Sequence, residues 1–170
     1  MSIPRNLTLA VLLVVALVLQ VSVFSHASVD GVVPNLVLLV VVAAALVQGA
    51  EFAAVAGFCA GLLVDLAPPA EHVAGRWALA LLVAGYVAGR VREGARPTWG
   101  SVALVVVACS FVAASVFALS GVVLGDTTAS VVAMLRVIGY GVAWDLVLAP
   151  LVVPAVIVAL RRFAPTQVAW

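Results

Sequence analysis

Residues 49–65 read GAEFAAVAGFCAGLLVD, and small residues recur there at every fourth position: Gly49, Ala53, Gly57 and Gly61, with Asp65 completing the row. On an α-helix these five lie on nearly one face, so the segment presents a flat, side-chain-poor seam that ends in a carboxylate. Such a seam is a packing surface. In lipid no hydrophobic drive pairs helices, and small-xxx-small rows let two backbones approach until dispersion and weak hydrogen bonds hold them. Two occupants fit it: another helix of the same chain, or the helix of a partner.

The lipid setting follows from composition. Of the 170 residues, 66% are hydrophobic and 9% charged, and the mean hydropathy of +1.34 is far outside the soluble globular range. No polar segment is long enough for a separate domain, so residues 1–170 are expected to form one all-α integral membrane domain. All eight basic residues are Arg, the net charge is +1, and their loop positions are explained by a membrane without any nucleic acid. Cys59 and Cys109 lie inside apolar runs and read as small buried hydrophobes, since neither a disulfide nor a metal site has partners at set spacing.

Six spans are expected, at about 7–25, 35–48, 51–66, 75–90, 99–124 and 129–160. The first follows Arg5. Residues 25–27 (Ser-His-Ala) mimic a signal-peptide cleavage site, but the apolar run is too long for a typical signal core, which favours an uncleaved helix. Pro34 and Asn35 open the second span, because Pro suits a first helical turn and lacks the donor that would go unpaired there. That span is short, about 21 Å at 1.5 Å per residue. Pro68 and Pro69 stop the third. Gly85 and Gly89 make a second close-packing pair in the fourth, beside Tyr86. In the fifth, Ser101, Ser110, Ser115 and Ser120 can return their hydroxyls to the backbone four residues earlier, and Pro150 and Pro154 are expected to kink the sixth. With six spans, Arg5, the Arg90 to Arg96 loop and the Arg161, Arg162 pair share one side, which the positive-inside rule makes cytoplasmic together with both termini.

A charge inside a span costs about 2.5–3.5 kcal/mol on insertion scales, so each one needs a partner. Asp65 and Arg76 flank one tight outer loop and are expected to pair or to share a hydrogen-bonded network. Asp145 lies deepest; Arg136 stands nine residues away, about 13.5 Å along the axis, so a neighbouring helix must meet the carboxyl. Arg136, in the first two turns of its span, can snorkel outward. Glu51 is interfacial and within reach of Arg90 or Arg92. Catalysis has no support: His26 and His72 fall in different loops, and no serine elbow, metal-spaced cluster or phosphate-cradling glycine loop accompanies them. Neither an enzyme nor a cofactor is expected.

Taken in order, Leu19-Gln20 ending the first span, Pro34-Asn35-Leu36 opening the second, GFCAGLLVDL at 57–66, Gly75 and Gly85-Tyr86 form a series that resembles the rod shape-determining MreD family. The likeness covers the chain in length and hydropathy; beyond Arg96 it rests on span lengths and the late Asp and Pro. It implies a six-helix membrane fold resembling the substrate-binding subunits of energy-coupling-factor transporters. It also implies a non-enzymatic part of the cell-elongation machinery in the bacterial inner membrane. The implied direct partner is MreC, a single-span protein, and through it the peptidoglycan glycosyltransferase and transpeptidase pair and MreB filaments.

The transporter likeness implies an alternative, a vitamin-like small-molecule binder. That role needs several convergent polar groups and aromatics near the outer face. The outer loops supply little more than His26, Asp30, Asn35, Glu71, His72, Arg76, Asp126 and nearby threonines. The scaffold reading expects the seam to stay open at one or both of Gly57 and Gly61 for the partner's span, with Asp65 at its outer end. Pro34, Asn35, Gly57, Gly61, Asp65, Gly85 and Tyr86 are therefore the candidates for partner contact or helix packing.

Overall fold

The computed structural model describes residues 3–24, 31–68, 73–92, 98–125 and 130–162. His26, Asp30, Glu71, His72, Arg96, Asp126 and the Ser-His-Ala stretch at 25–27 lie outside the described residues. Six helices are described: α1 (Ile3–Ser22), α2 (Leu36–Gln48), α3 (Ala50–Leu66), α4 (Arg76–Arg92), α5 (Trp99–Val123) and α6 (Val131–Arg162). Three stretches, Pro4–Ser22, Trp99–Val123 and Val131–Arg162, are long and apolar enough to cross a membrane. The other helices have 13, 17 and 17 residues, about 20–26 Å, against a hydrocarbon layer of about 30 Å.

The shortest helix is the centre of the molecule. Residues 36–45 of α2 are all buried, and α2 touches each of the other five helices. A helix that is apolar on every side belongs inside a bundle, and the Leu, Val and Ala run of α2 fits that rule. The peripheral α1 shows the opposite pattern: Leu9, Leu13 and Ala16 are buried, while Leu7, Val11, Val14 and Val18 face outward. It starts at Ile3, four residues before the expected boundary, with Pro4 in its first turn, where proline is tolerated.

A single residue, Gly49, joins α2 to α3. Its φ of 92° lies in the left-handed region that favours glycine. Its N–H closes α2 on the Ala45 carbonyl at 3.0 Å, and its own carbonyl accepts from Ala53 N at 3.1 Å to start α3. At the head of α5, Thr98 and Ser101 form a reciprocal capping box. The fifth-helix serines do not all bond as expected: Ser120 reaches the Phe117 carbonyl, three residues back, at 2.8 Å, and Ser110 leaves its own helix altogether. In α6 the helix runs on through Pro150 and Pro154, which membrane bundles tolerate because neighbouring groups satisfy the freed carbonyls.

The small-residue seam of α3 is closed by α4, which corrects the expectation that Gly57 or Gly61 stays open for a partner. A Cβ on Gly57 would collide with the Leu81 carbonyl, and one on Gly61 with the Trp77 carbonyl and the Ala78 backbone. From the other side, Gly85 lies on the Ala53 carbonyl and Gly89 on the Ala50 backbone. The two glycine pairs interlock along one antiparallel contact, so each helix supplies the space that the other's backbone fills. Close approach of this kind adds dispersion and Cα–H···O contacts.

This geometry predicts that Gly57→Leu and Gly61→Leu lose membrane abundance and thermal stability, with a cost of at least about 1–3 kcal/mol for overfilling a tight contact. Gly139, on the exposed face of α6 with nothing near its Cβ direction, is the control. Quantitative immunoblotting of membranes should show Gly139→Leu at wild-type level and both seam variants depleted.

Candidate functional site

The first turn of a helix has four N–H groups without intrahelical partners, and in an apolar setting each must be met by something else. The start of α2 is such a place, with Pro34 and residues 36–45 buried. Pro34, just ahead of the Asn35 cap, brings no N–H of its own. The Asn35 N–H donates to Asp145 Oδ1 at 2.7 Å, Val37 N–H to Gln20 Oε1 at 3.3 Å, and Leu38 N–H to the Asn35 side-chain oxygen at 2.9 Å. The second oxygen of Asp145 accepts from the Ser110 hydroxyl at 2.7 Å. Four helices thus converge on one terminus: Gln20 from α1, the cap of α2 itself, Ser110 from α5 and Asp145 from α6. Asp145 and Ser110 are each only 3% exposed, and a carboxylate at a helix N-terminus is aligned with the helix dipole.

A second carboxylate does the same for α4. Asp65 Oδ2 accepts from Gly75 N at 2.8 Å and Ala78 N at 3.0 Å, and Oδ1 from Trp77 N at 3.1 Å. The residue at the outer end of the seam is therefore engaged with its own hairpin. Arg76 opens the helix that Asp65 caps and turns toward α5. Its Nη2 donates to the Phe117 carbonyl at 2.9 Å, and its guanidinium carbon stands 4.0 Å from the Phe117 ring centroid. Trp77 stacks on the same ring at 4.5 Å. Gly121 makes room for this, since a Cβ there would meet the guanidinium.

Between these two capped termini lies a cavity of about 420 Å³, walled by α5 and α6 and reached by Asn35, Arg76, Trp77, Ser110, Phe117 and Asp145. A smaller cavity of about 280 Å³ includes Leu46, Arg92, Ser101 and Arg161 in its walls. Among the described residues no three of His, Cys, Asp and Glu come together as metal ligands.

The structure joins Pro34, Asn35 and Asp145 in one cluster, and Gly57, Gly61 and Gly85 in another. It places Asp65 and Arg76 at the α4 terminus. Tyr86 is 46% exposed on α4, and Arg136 and Glu51 are exposed. Phe117 and Gly121 have no role in the sequence reading, Gln20 enters it only through the family series, and Ser110 is expected there to bond its own backbone. Ser110 carried one usable signal, a hydroxyl at mid-helix in a long apolar span, which is where a deep carboxyl on another long span needs a donor.

Replacing Asp145 should separate acceptor from charge. Asp145→Leu orphans both the Asn35 N–H and the Ser110 hydroxyl, at about 1–3 kcal/mol for each buried group. Asp145→Asn keeps an oxygen for Asn35 and can donate to the Ser110 oxygen, so it should lose less. Thermal unfolding in detergent is expected to rank wild type above Asn above Leu.

The comparisons with known proteins bear on the whole chain at once. No curated protein and no solved structure matches it. The family model described as rod shape-determining protein MreD matches residues 2–163. That match includes every described helix and both capped termini, and the chain belongs to the MreD family, membrane proteins that determine rod cell shape.

Proposed function

We propose that the protein is a non-enzymatic scaffold of the cell-elongation machinery that binds MreC in the inner membrane. Through MreC it helps to organise lateral peptidoglycan synthesis by the glycosyltransferase and transpeptidase pair, in concert with MreB filaments. The observation that carries this reading is the family match across residues 2–163. The polar side chains of the bundle agree with a structural role: Asp65, Asp145, Asn35 and Gln20 each bond a backbone N–H.

In this reading the chain is a single membrane domain with six spans and both termini cytoplasmic. The arginines support that orientation. Arg5 precedes the bulk of α1, Arg90 and Arg92 end α4, and Arg161 and Arg162 end α6; Arg92 and Arg161 line the same smaller cavity. Reporter fusions after Arg96 should read cytoplasmic and a fusion after Ala70 external; a cytoplasmic signal after Ala70 would overturn the six-span arrangement.

With the α3 seam closed, the partner's span must use an outward face. Of the seven candidates for partner contact or helix packing, Tyr86 is the exposed one, an aromatic ring with a polar tip, the type of group that seeks a hydrogen-bond partner. Co-purification with MreC tests both levels. Wild-type protein should recover MreC, and Tyr86→Ala should lower that recovery at unchanged abundance. Absence of MreC from the wild-type eluate would overturn the scaffold reading, and full recovery with Tyr86→Ala would remove only this contact.

A further inference from the structure

Arg92 and Arg161 line one cavity of about 280 Å³, each from the last turn of its helix, α4 and α6. Among the described residues these two helices do not pack on each other, and the cavity occupies the gap between their ends, with Leu46 of α2 and Ser101 of α5 also in its walls. Its charge is of one sign. Both arginines are exposed, no carboxylate is in the described lining, and no hydrogen bond or ion pair joins either guanidinium to a described residue. Arg76 differs in this respect, since the Phe117 carbonyl and ring engage it.

A last-turn arginine complements the negative end of its helix dipole wherever it points, so that role does not explain why these two share a cavity. Arg90 and Arg162 stand in the same last turns and are absent from its walls. Two positive charges on one cavity repel each other. The helix ends leave them uncancelled, because each C-terminus carries only about half an elementary charge. An anion seated between the arginines removes the repulsion. Deeper in, the walls turn aliphatic with Leu46, Val102, Val105 and Ile157, and Val105 is 5% exposed. Ile157 lies one helical turn, about 6 Å, inside Arg161. The volume far exceeds the share of one water, about 30 Å³, and lies just below the range of whole organic ligands, about 300–1,000 Å³. It suits an anionic group with a short apolar stem.

We propose that this cavity holds one phosphate group between Arg92 and Arg161, with the first carbons attached to it on the aliphatic floor. A tetrahedral phosphate can meet two guanidinium forks from two sides, and basic pockets between membrane helices take lipid headgroups in this way. A phospholipid of the bilayer and a soluble phosphate ester share this chemistry.

The test uses the full chain in mild non-ionic detergent, delipidated and then offered phosphatidylglycerol, phosphatidylcholine or glycerol 3-phosphate, with adducts read by native mass spectrometry. One phosphatidylglycerol per chain is expected. Phosphatidylcholine, whose own cation meets the same arginines, should bind about tenfold more weakly, the equivalent of about 1.4 kcal/mol. A preference for glycerol 3-phosphate over both lipids would support the same site with a soluble ligand. Arg92→Gln and Arg161→Gln should each weaken the favoured adduct about tenfold. Arg162→Gln takes the same charge from the same turn of α6 without touching the cavity, and should bind as wild type does. Thermal unfolding of each variant shows that it is folded, and either glutamine variant carries the test if the other melts early. Absence of any adduct, an adduct formed equally with both phospholipids, undiminished binding in folded Arg92→Gln or Arg161→Gln, or an equal loss in Arg162→Gln would overturn the proposal.

Discussion

A helix that begins inside an apolar medium carries donors that water cannot reach, and the arrangement of this protein depends on how α2 meets that condition. At its head Pro34 brings no donor, and the N–H groups of Asn35, Val37 and Leu38 go to Asp145, to Gln20 and to the Asn35 side chain, the first two from helices at opposite ends of the chain. Ten consecutive buried residues then follow, surrounded by the other five helices. If the first turn lost its acceptors, the surrounding helices would be packed on a core element with unpaired backbone at its head, each such group costing about 1–3 kcal/mol.

The deep carboxyl thus has a structural reading that its depth alone does not convey. Insertion of an acidic side chain near the middle of a span is costly, yet Asp145 meets a backbone N–H, a serine hydroxyl and the positive end of a helix dipole together. Asp65 repeats the arrangement on α4 with three backbone donors. The two acidic groups fix where two short helices start, and so define the ends of the cavity between α5 and α6. Arg76, beside one of these starts, links α4 to α5 through the Phe117 ring and carbonyl.

Much of the helix layout was legible, because apolar runs, prolines and glycines are local signals. The positions of α2 to α5 agree with the expected spans to within two residues at each end. Partner choice was harder. The periodicity of residues 49–65 reveals a flat face but not what lies on it, and Gly85 with Gly89 had to be placed opposite before the seam could be seen as closed. Likewise Asn35 with its proline could be read as a helix start and Asp145 as a buried charge in search of a neighbour. The bond between them spans 110 residues, a separation for which hydropathy offers no ruler. Ser110 was misassigned for the same reason, since a hydroxyl facing its own backbone and one facing a distant carboxyl look alike in a sequence.

The same separation has a consequence for how the protein is made. At about 5–20 residues per second, the 110 residues between Asn35 and Asp145 take roughly 5–20 s to synthesise. Through that interval α2 exists with Gln20 and its own asparagine as its available caps, and too short to cross the bilayer unaided. Gly49 alone joins it to α3. The acceptor for the Asn35 N–H is thus among the last parts of the bundle to be made.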